Sequence, residues 1–571
     1  MNGLLEWGEK HGIVVPNALK FVYDPVKGFC CVAEEVVENV KFKIPSDMII
    51  TNELAAKYFN TKDNVKTWLK FLVAKMRFGS EAMMVGDEDL REKFSPYINA
   101  LPGVIDSPII WNPSELKLLE STNLGFSVRE KLYGIFKEWK SVIEVDKEAS
   151  ASLLKQFELL DKFDELSDEE IYKEITSQVD GNASLPWYSF PAFLWSHLIF
   201  ISRAFPEYVI NPVDENNQVI LLPIMDLLNH DYHSKVEWFG ENRSFYFRKL
   251  EPTVKGHEVF NNYGGKGNEE LLSGYGFVLE NNVFDSVALK IKLPLPVVSE
   301  ILEHEIALPT ISEYTTFAFE VKKEEPLRNT SDVSQYQNGV LYFINKANNI
   351  TLDRLIDLFS YLNKTENEDI RSLRLRLQGL QNLRIALKRK LEGITDANIR
   401  SGSKYPMKEY RIRCAELYRS GQKEILKHSI NELKRFEKNW TSENKGNLLT
   451  IKRVLKHETQ FVEVQLPSLF EDWENVVFQT MNHVLILWVV FRCVRGASGY
   501  DSYDWIRDRY QSFIEKSQNQ TSTVIEAQGV YDAIFPNGSV SISLNDLELA
   551  IAFIENNSYT RLSTDEIILV K

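Results

Sequence analysis

Strand-like and helical sequence alternate along this chain in large blocks. Residues 20–50 and about 218–290 are rich in β-branched and aromatic side chains and contain turn residues such as Pro25 and Gly28, which is typical of β-strands. From about 52 to 188 the apolar residues instead recur at spacings of three and four, which indicates amphipathic helices. Because strand-like blocks lie on both sides of the helical one, the sequence predicts a single β-rich unit that is split by a helical insertion.

The remainder of the chain is predicted to be helical. In IRSLRLRLQGLQNLRIALKRKL (370–391) the leucines keep helical spacing, which favours a core-facing helix of a bundle, although a coiled-coil seam has the same pattern. Within the second strand-like block, KVEWFGENRSFYFRKL (235–250) has two alternating runs around Gly240–Asn242, which predicts a β-hairpin. The expected fold class is therefore α+β, with an all-helical C-terminal domain.

The chain is acidic overall. It has 571 residues, of which 81 are acidic and 66 basic, and its formal net charge is −15. Such a surface repels phosphate backbones and attracts basic polypeptides. We therefore expect a basic protein as partner and no direct nucleic-acid role, although a local basic patch is compatible with an acidic average.

The four cysteines show no disulfide framework. Cys30 and Cys31 are adjacent, whereas Cys414 and Cys493 are isolated, so neither a disulfide set nor a CxxC zinc spacing is predicted. This favours a reducing compartment, and we expect a cytoplasmic protein, with the nucleus as the open alternative. The most apolar runs (190–202 and 484–491) are too short or too polar to span a bilayer, and the N-terminal residues do not form a secretory signal. We expect a soluble protein with no membrane role.

The segment LLPIMDLLNHDYH (221–233) passes from apolar residues directly to an amide, an imidazole and a carboxylate. On these residues alone, a polar cap at the end of a buried helix or strand is the simpler interpretation, since Asn and Asp are favoured there. His230 and His233 have the spacing of a partial metal site, but a metal needs further ligands in the right places. We expect no metal here.

The segment GHEVFNNYGGKGNEELLSGYGFV (256–278) is rich in glycine. It contains neither GxxxxGK[ST] nor GxGxxG after a strand, which argues against a phosphate-binding loop. The pattern predicts a short strand (EVFNN, 258–262), then Tyr263 and Gly264, then a helical stretch that ends at Tyr275. Taken alone, the two tyrosines are equally compatible with core aromatics.

Taken together, four segments resemble the cofactor site of SET-domain lysine methyltransferases. They are KGFCCVA (27–33), ISRAF (201–205), DLLNH (226–230) and GHEVFNNYG…GYGF (256–277), and they occur in the family's order. The helical insertion between the first two segments and the trailing helical region are similar to the Rubisco large-subunit methyltransferase subgroup. The resemblance extends over nearly the full length of the chain.

The resemblance implies a β-rich SET domain with a knot-like crossing of the chain at the active site. The implied organisation is an N-terminal helix (1–19), the two parts of the SET domain (20–56 and 189–290), a helical insertion (57–188) and a helical substrate-binding domain (291–571). The implied cofactor is S-adenosyl-L-methionine, and the residues expected to contact it are Lys27, Gly28, Phe29, Ser202, Arg203, Asp226, Asn229, His230, Tyr263 and Tyr275.

The family's cofactor contacts imply a role for each polar residue. Asn229 is expected to hold the amino-acid end of the cofactor, with His230 against its adenine. Ser202 and Arg203 are expected to hold the carboxylate, since a guanidinium can bind a carboxylate through two parallel hydrogen bonds. Asp226 is expected to fix the turn that carries Asn229.

The family also implies the catalytic residue. Tyr263 is expected beside the transferred methyl group, either to remove a proton or to orient the acceptor nitrogen, and Tyr275 is expected to form another wall of the channel. The segment Lys27–Phe29 is expected to line the adenine side. This segment has KGFCC where the family more often shows Gly-x-Gly, and His257 stands where an acidic residue is common, so the contacts of 27–29 are left open.

The implied activity is the transfer of methyl groups to lysine side chains of a ribosomal protein, with the large subunit as the expected source. A monomer whose C-terminal helices present the substrate is expected. Two alternatives stay open. One is a SET methyltransferase that acts on another protein, such as a translation factor or a cytochrome, or on a histidine. The other is a SET-fold binding protein without catalysis.

Overall fold

The structure is a computed structural model that describes residues 2–25, 27–143, 151–181, 185–212, 218–309, 333–365, 368–396, 404–470, 481–500, 502–517, 524–536, 538 and 541–571. These residues form two compact units. The first unit contains the described residues of Met1–Ser286 and Gly393–Lys423, and the second contains those of Val287–Thr310, Pro326–Glu392 and Glu424–Lys571.

The first unit combines short strands with many helices. Its helices are α1 (Asn2–Lys10), α2 (Asn52–Phe59), α3 (Val65–Phe78), α4 (Leu90–Ala100), α5 (Pro113–Leu116), α6 (Asn123–Lys140), α7 (Ala151–Asp161), α8 (Asp168–Ile171), α9 (Ser177–Asp180), α10 (Phe190–Arg203) and α11 (Asn268–Glu270). Its strands are β1 (Leu19–Asp24), β2 (Gly28–Ala33), β3 (Lys41–Ile44), β4 (Met84–Val85), β5 (Glu88–Asp89), β6 (Phe205–Pro206), β7 (Val219–Ile220), β8 (Val236–Glu241) and β9 (Ser244–Lys249).

The strands of the first unit pair as small antiparallel sheets. Strand β1 pairs with β2, and a three-stranded sheet has the order β3-β9-β8. The predicted hairpin of β8 and β9 is confirmed, and its turn residues Asn242 and Arg243 both have positive φ, 49° and 59°. Such a turn matches the right-handed twist of the two strands. The predicted strand at 258–262 is replaced by isolated bridges at Glu258 and Asn261, because this segment passes between other segments without following one partner strand.

Helix α10 is the central helix of this unit. Ser189 caps it by accepting a hydrogen bond from the Ala192 N–H, and Pro191 occupies its first turn, where a missing N–H costs nothing. Its residues from Phe190 to Phe200 are buried nearly all round, as expected for a helix inside a core. The helix ends at Arg203, so the core places the last turn of α10 at a fixed position.

The segment 221–233 is neither a regular helix nor a strand. It contains a single 3-10 turn (Met225–Leu227), and Ile224 before it has a φ of 68°. A positive φ is unfavourable for a β-branched residue, and such strain persists only where surrounding contacts enforce it. Ile224 is fully buried, so the core holds this backbone in place.

The second unit contains helices and strands. Its helices are α12 (Leu295–Glu303), α13 (Ile350–Leu362), α14 (Leu373–Asp396), α15 (Glu409–Glu443), α16 (Ile451–His457), α17 (Leu466–Leu469), α18 (Met481–Val489), α19 (Trp505–Ser517), α20 (Val524–Ile534) and α21 (Leu544–Asn557), with parts of α14 and α15 belonging to the first unit. Its strands are β10 (Ser286–Ile291), β11 (Val340–Asn345), β12 (Leu448–Leu449), β13 (Ser558–Arg561) and β14 (Glu566–Val570).

The expectation of an all-helical region after residue 290 is wrong. Strand β10 pairs with β11, and β12, β14 and β13 form a three-stranded sheet. These strands have at most six residues, so a search for helical periodicity over longer windows passes over them. The β-branched run of β14 was the available signal.

The N-terminal helix is also shorter than the predicted segment 1–19. Helix α1 ends at Lys10, and Val14 pairs with Lys43.

The stretch between β3 and α10 is mostly helical, with β4 and β5 as exceptions. The domain bounds at 56/57, 188/189 and 290/291 and the knot-like crossing stay predictions. Within the described ranges, no helix is both long and apolar enough to cross a membrane.

The segment Gly393–Lys423 is an integral part of the first unit. Arg411 in α15 is fully buried and forms ion pairs with Asp106 at 2.8 Å, Glu115 at 2.7 Å and Asp180 at 2.6 Å. Removing one member of a buried charge cluster costs several kcal/mol because the partners are left uncompensated. The first unit therefore needs residues that lie more than a hundred positions after its other elements.

Candidate active site

A cavity of about 170 Å³ lies in the first unit at the end of α10. It is lined by Ser202, Arg203, Ala204, Phe205, Pro206, Asp226, Trp238, Asn261, Tyr263, Lys266 and Tyr275. We call this space the tyrosine cavity. Residues predicted from three separate sequence segments therefore meet around one space, and the fold brings them together from distant positions.

Tyr263 lies between two other rings. Its ring stacks on His230 with a centroid distance of 4.9 Å and on Tyr275 with a centroid distance of 5.2 Å. Its hydroxyl donates to the carbonyl oxygen of Leu228 at 2.7 Å. Burial raises the pKa of Tyr263 to about 12, so the phenol stays protonated at neutral pH and keeps its oxygen lone pairs as acceptors.

Tyr275 ends a π-helical turn that follows α11. This turn spans Leu271–Tyr275, and Gly276 after it has a φ of 78°. The turn is held from behind by Ser107, whose hydroxyl donates to the carbonyl oxygen of Ser273 at 2.6 Å. Burial raises the pKa of Tyr275. The two tyrosines thus form a neutral aromatic wall.

Arg203 and Asp226 form the charged part of the cavity. An Arg203 amine group donates to the Asp226 carbonyl oxygen at 2.8 Å and lies 3.5 Å from its carboxylate. The hydroxyl of Tyr97 donates to the same carboxylate oxygen, Oδ2, at 2.8 Å. Burial raises the pKa of Asp226, against the opposing effect of Arg203. Among the described residues, neither the buried Nε of Arg203 nor Oδ1 of Asp226 has a hydrogen-bond partner.

Ser202 lines the same cavity, but its hydroxyl hydrogen is already donated in a hydrogen bond within α10. The hydroxyl donates to the carbonyl oxygen of Leu198 at 2.8 Å, one turn earlier in α10. This hydroxyl can offer a ligand only its oxygen lone pairs. It therefore suits a ligand group that donates a hydrogen bond and does not suit a carboxylate, which needs a donor. Its expected role beside Arg203 stays a prediction.

The predicted residues outside the cavity gather around the Asn229 amide. This amide donates to the carbonyl oxygen of Phe29 at 3.1 Å and to the carboxylate of Glu258 at 2.7 Å. Lys27 lies 3.6 Å from the same carboxylate. Gly28, which lies between Lys27 and Phe29 in the chain, has a φ of 76°, a backbone conformation that other residues adopt only with strain. We call this group the amide cluster.

His230 connects the amide cluster to the tyrosine cavity. It forms a parallel bridge with Asn261, and its Nδ1 accepts the Tyr263 N–H at 3.0 Å. Next to it, the Asn261 N–H donates to the carbonyl oxygen of Asn229 at 2.8 Å. Burial lowers the pKa of His230 to about 4. The ring is therefore neutral at physiological pH, which its acceptor role requires.

The polar groups that lack partners fit the amino-acid end of S-adenosyl-L-methionine. Arg203 Nε and Asn261 Nδ2 are buried donors for which the described part of the chain supplies no acceptor, and a carboxylate would satisfy both. The Glu258 carboxylate and the Phe29 carbonyl oxygen are acceptors on the amide cluster, and they match an ammonium group. The donor set of this structure is thus compatible with the cofactor.

Several residues of the site were not found from the sequence. Tyr97 fixes Asp226 from helix α4, and no local pattern connects residues so far apart. Glu258 was not predicted as a site residue; the only local signal is that Glu258 and the buried Val259 alternate as in a strand. Trp238, whose indole donates to Asn261 at 3.0 Å, and Lys266 were missed as well. The glycines that flank Lys266 were its only signal.

His230 and His233 do not belong to a metal site in the described residues, where His, Cys, Asp and Glu form no group of three or more that suits a metal ion. Asp231 next to them instead binds backbone groups, accepting the His233 N–H at 2.9 Å. The expectation that the chemistry needs no metal stays a prediction.

Comparison with known proteins places the chain in a family. It is 45% identical over 587 aligned residues, covering 100% of this chain and 99% of the relative, to ribosomal lysine N-methyltransferase 1 of Saccharomyces cerevisiae. It is 25% identical over 566 residues, covering 95% and 91%, to protein-lysine N-methyltransferase EFM1 of the same organism. The family model of the EFM1 middle domain matches residues 286–444.

A solved structure supports the fold. The crystal structure of the SET domain of LSMT bound to lysine and AdoHcy superposes with a TM-score of 0.50 and 16% sequence identity, covering 77% of this chain and 92% of that chain. At this identity the match shows the SET fold alone. With the relatives above, the chain therefore belongs to the SET-domain protein-lysine N-methyltransferases that use S-adenosyl-L-methionine, in the family of ribosomal lysine N-methyltransferase 1.

Proposed function

We propose that this enzyme methylates lysine side chains of a ribosomal protein, and that this protein belongs to the large subunit. The observation that carries the proposal is the 45% identity, over the full chain, to a relative named ribosomal lysine N-methyltransferase 1. The net charge of −15 suits a basic acceptor such as a ribosomal protein. The assignment of the acceptor to the large subunit rests on the resemblance to the family. Methylation of separated ribosomal subunits distinguishes the large subunit from the small one.

The tyrosine cavity receives the acceptor lysine. Its walls are Tyr263, Tyr275, Trp238 and Phe205, and rings of this kind pack along the methylene chain of a lysine. Entry into this cavity removes water from the acceptor nitrogen, which disfavours the charged ammonium, and the acceptor must be neutral to react.

Tyr263 orients the acceptor rather than deprotonating it. Its hydroxyl hydrogen is donated to Leu228, and burial raises its pKa to about 12. A phenol with this pKa is a poor source of phenolate at neutral pH, whereas its oxygen lone pairs can accept a hydrogen bond from the incoming amine. The carbonyl oxygen of Leu228, which accepts this hydrogen bond, would be available for weak C–H···O contacts with the transferred methyl group.

The amide cluster and Arg203 hold the cofactor. When bound, S-adenosyl-L-methionine supplies the electrophilic methyl group. Asn229 and Glu258 would hold its amino end, and Arg203 Nε together with Asn261 Nδ2 would bind its carboxylate. Lys27, Gly28 and Phe29 would line the side of the site that takes the adenine. His230 connects the amide cluster to the tyrosine cavity and so fixes their relative position.

The remaining predicted residues support these contacts. Asp226 orients Arg203 and is itself held by Tyr97. Ser202 lines the tyrosine cavity, with its hydroxyl oxygen available as an acceptor. These residues fix geometry, and geometry is the main contribution a protein makes to an in-line transfer.

The second unit binds the protein substrate, and the enzyme acts as a monomer. The four cysteines are buried and free, which supports a reducing compartment. We place the reaction in the cytoplasm, with the nucleus as the second compartment in which ribosomal proteins are accessible.

The test is methylation of ribosomal proteins from cells that lack the enzyme. Purified subunits and free ribosomal proteins are incubated with the wild-type enzyme and labelled S-adenosyl-L-methionine, and the labelled lysines are located by mass spectrometry. Label in a large-subunit protein is expected. Label confined to the small subunit would contradict the choice of subunit, and no ribosomal label in any fraction would contradict the ribosomal acceptor.

A second candidate is a lysine methyltransferase for a protein outside the ribosome, such as a translation factor. It is favoured by the match of residues 286–444 to the EFM1 middle domain, because this range includes part of the second unit, which is proposed to bind substrate. In the same experiment, a whole-cell extract with one strong non-ribosomal band and unlabelled ribosomes would support this candidate instead.

A further inference from the structure

Trp238 contacts the site through its indole N–H as well as through its ring. The residue lines the tyrosine cavity, and its indole N–H donates to the side-chain oxygen of Asn261, Oδ1, at 3.0 Å. Asn261 is fully buried and lines the same cavity. This hydrogen bond therefore joins an aromatic wall of the cavity to a residue that we assign to the cofactor.

The backbone of Asn261 is held on both sides. Its N–H donates to the carbonyl oxygen of Asn229 at 2.8 Å, and its carbonyl oxygen accepts the Asp231 N–H at 3.0 Å. The position of the residue is thus fixed. The freedom that remains to its buried side chain is a half-turn of the amide, in which the nitrogen and the oxygen exchange places.

Two donors fix the orientation of this amide. The indole N–H of Trp238 and the backbone N–H of Asn262, at 2.8 Å, both donate to Asn261 Oδ1. An indole N–H and a backbone N–H can only donate, so a turned amide would place its own N–H groups against both of them. The oxygen therefore faces Trp238, and the nitrogen lies on the other side of the amide.

The nitrogen of the amide is then a donor that needs an acceptor. Asn261 Nδ2 is buried and has no hydrogen-bond partner in the described part of the chain, and the same is true of Arg203 Nε in the same cavity. Buried donors in native proteins are nearly always paired. A carboxylate has two oxygens and a negative charge, so it can pair with both donors, whereas an ammonium can pair with neither.

Trp238 itself is held in place by its neighbours. It lies in β8 opposite Phe247, and its ring makes an edge contact with Phe205 at a centroid distance of 5.1 Å. Two residues later, a Cβ at Gly240 would lie only 2.8 Å from the Cα of Ile210, so β8 packs closely against that segment. The sheet and these contacts therefore set the position of the indole N–H.

We propose that Trp238 is a positioning residue that makes the site selective for the carboxylate of S-adenosyl-L-methionine. It acts through Asn261: the indole N–H holds the amide so that Nδ2 is the donor, and Nδ2 binds the carboxylate together with Arg203 Nε. The inference rests on the carboxylate site proposed above and names the residue that sets its polarity. It does not depend on which protein is methylated.

A purely structural role for the same hydrogen bond makes a different prediction. Asp226 Oδ1 is a buried acceptor that also lacks a partner among the described residues, and a water molecule between it and Asn261 Nδ2 would satisfy both atoms. In that arrangement Trp238 stabilises the cavity wall without distinguishing ligands that have a carboxylate from ligands that lack one. Selectivity is therefore the property to measure.

Calorimetric titration with two ligands measures this selectivity. S-adenosylhomocysteine has the carboxylate, and S-adenosyl-3-thiopropylamine keeps the adenosine and the amine without it. In Trp238→Phe we expect the affinity for S-adenosylhomocysteine to fall about three- to tenfold, as for the loss of one hydrogen bond. The affinity for the second ligand should stay within about twofold of the wild type. Equal losses for both ligands, or no loss for either, would overturn the inference.

Trp7→Phe is the matched control. The indole of Trp7 also donates to an oxygen, the Lys93 carbonyl oxygen at 2.8 Å, but Trp7 is not among the residues that line the cavity. We expect both affinities to stay within about twofold of the wild type. A loss in Trp7→Phe that is confined to S-adenosylhomocysteine would show that selectivity does not come from the contact with Asn261.

Asn261→Ala shows whether Trp238 acts through the amide. This variant alone should lose affinity for S-adenosylhomocysteine and keep it for S-adenosyl-3-thiopropylamine. Adding Trp238→Phe should then change neither affinity by more than about twofold, because the group that Trp238 positions is gone. A further selective loss in the double variant would overturn the inference about Trp238 while leaving the carboxylate site intact.

Asn261→Asp is the second variant at this position, and it keeps the size of the side chain and the oxygen that Trp238 binds. It replaces the donor with a negatively charged oxygen, so we expect the affinity for S-adenosylhomocysteine to fall at least about tenfold. If neither Asn261 variant changes the selectivity between the two ligands, the carboxylate site itself is wrong, and the role of Trp238 is wrong with it.

Discussion

Tyr263→Phe is the substitution that best separates a residue that orients the acceptor from a core aromatic. It removes one hydroxyl and keeps the ring between His230 and Tyr275. The lost hydrogen bond leaves the buried Leu228 carbonyl oxygen without this donor, which costs about 1 to 3 kcal/mol of unfolding free energy. A positioned group of this kind contributes about 10²- to 10⁴-fold in rate, or about 3 to 5 kcal/mol of activation free energy.

Single-turnover methylation at saturating cofactor and acceptor is the assay, together with calorimetric titration of S-adenosylhomocysteine. We expect the rate to fall by about 10²- to 10⁴-fold while cofactor affinity changes little. Tyr418→Phe is the matched control, since this buried phenol also donates one hydrogen bond, to Glu269 at 3.0 Å, away from the cavity. A Tyr263→Phe rate within about twofold of the Tyr418→Phe rate would refute the assignment.

Three further changes test other parts of the site. Asn229→Ala removes the amide that holds Phe29 and Glu258, and we expect weaker binding of S-adenosylhomocysteine by calorimetry with an unchanged circular dichroism spectrum. A chain that ends at residue 290 lacks Gly393–Lys423 and its buried ion pairs, so we expect aggregated protein on size-exclusion chromatography; a folded monomer would contradict this. The folded-state pKa of His230, about 4, is lower than its usual value of about 6.5. The unfolded state therefore binds more protons between these values, and stability rises by roughly 2 to 3 kcal/mol as pH increases from about 4 to 6.5. Urea unfolding should show this slope reduced in His230→Gln and retained in the exposed control His233→Gln.

Short segments with unusual polar residues could be identified from the sequence because their chemistry is local. The change from apolar to polar residues at 226–230 and the paired tyrosines around a glycine-rich turn are visible without a structure. The hairpin at 235–250 was predicted for the same reason, since turn residues and alternation are local signals. The roles of these residues, however, came from resemblance to a family.

The contacts between these segments were not visible in the sequence. Glu258 belongs to the site because Asn229 donates to it at 2.7 Å, and Tyr97 belongs because its hydroxyl reaches Asp226 at 2.8 Å. Each pair is joined by packing of distant segments, for which a single sequence carries no periodic signal. The role of an acidic or aromatic residue therefore depends on which neighbour the fold supplies.

The sequence by itself determined the order of strand-like and helical blocks up to about residue 290 and the positions of the residues that carry chemistry, but it did not show the short strands after that point. Local properties fix these features: side-chain periodicity, turn preference and residue type. The tertiary structure decided which unit each segment joins and which charges lie buried at the site. Gly393–Lys423 joins the first unit because Arg411 needs three carboxylates that lie far away in the chain. Asp226 becomes a residue of the site because packing buries its carboxylate beside Arg203 and Tyr97, and burial is a property of the folded chain.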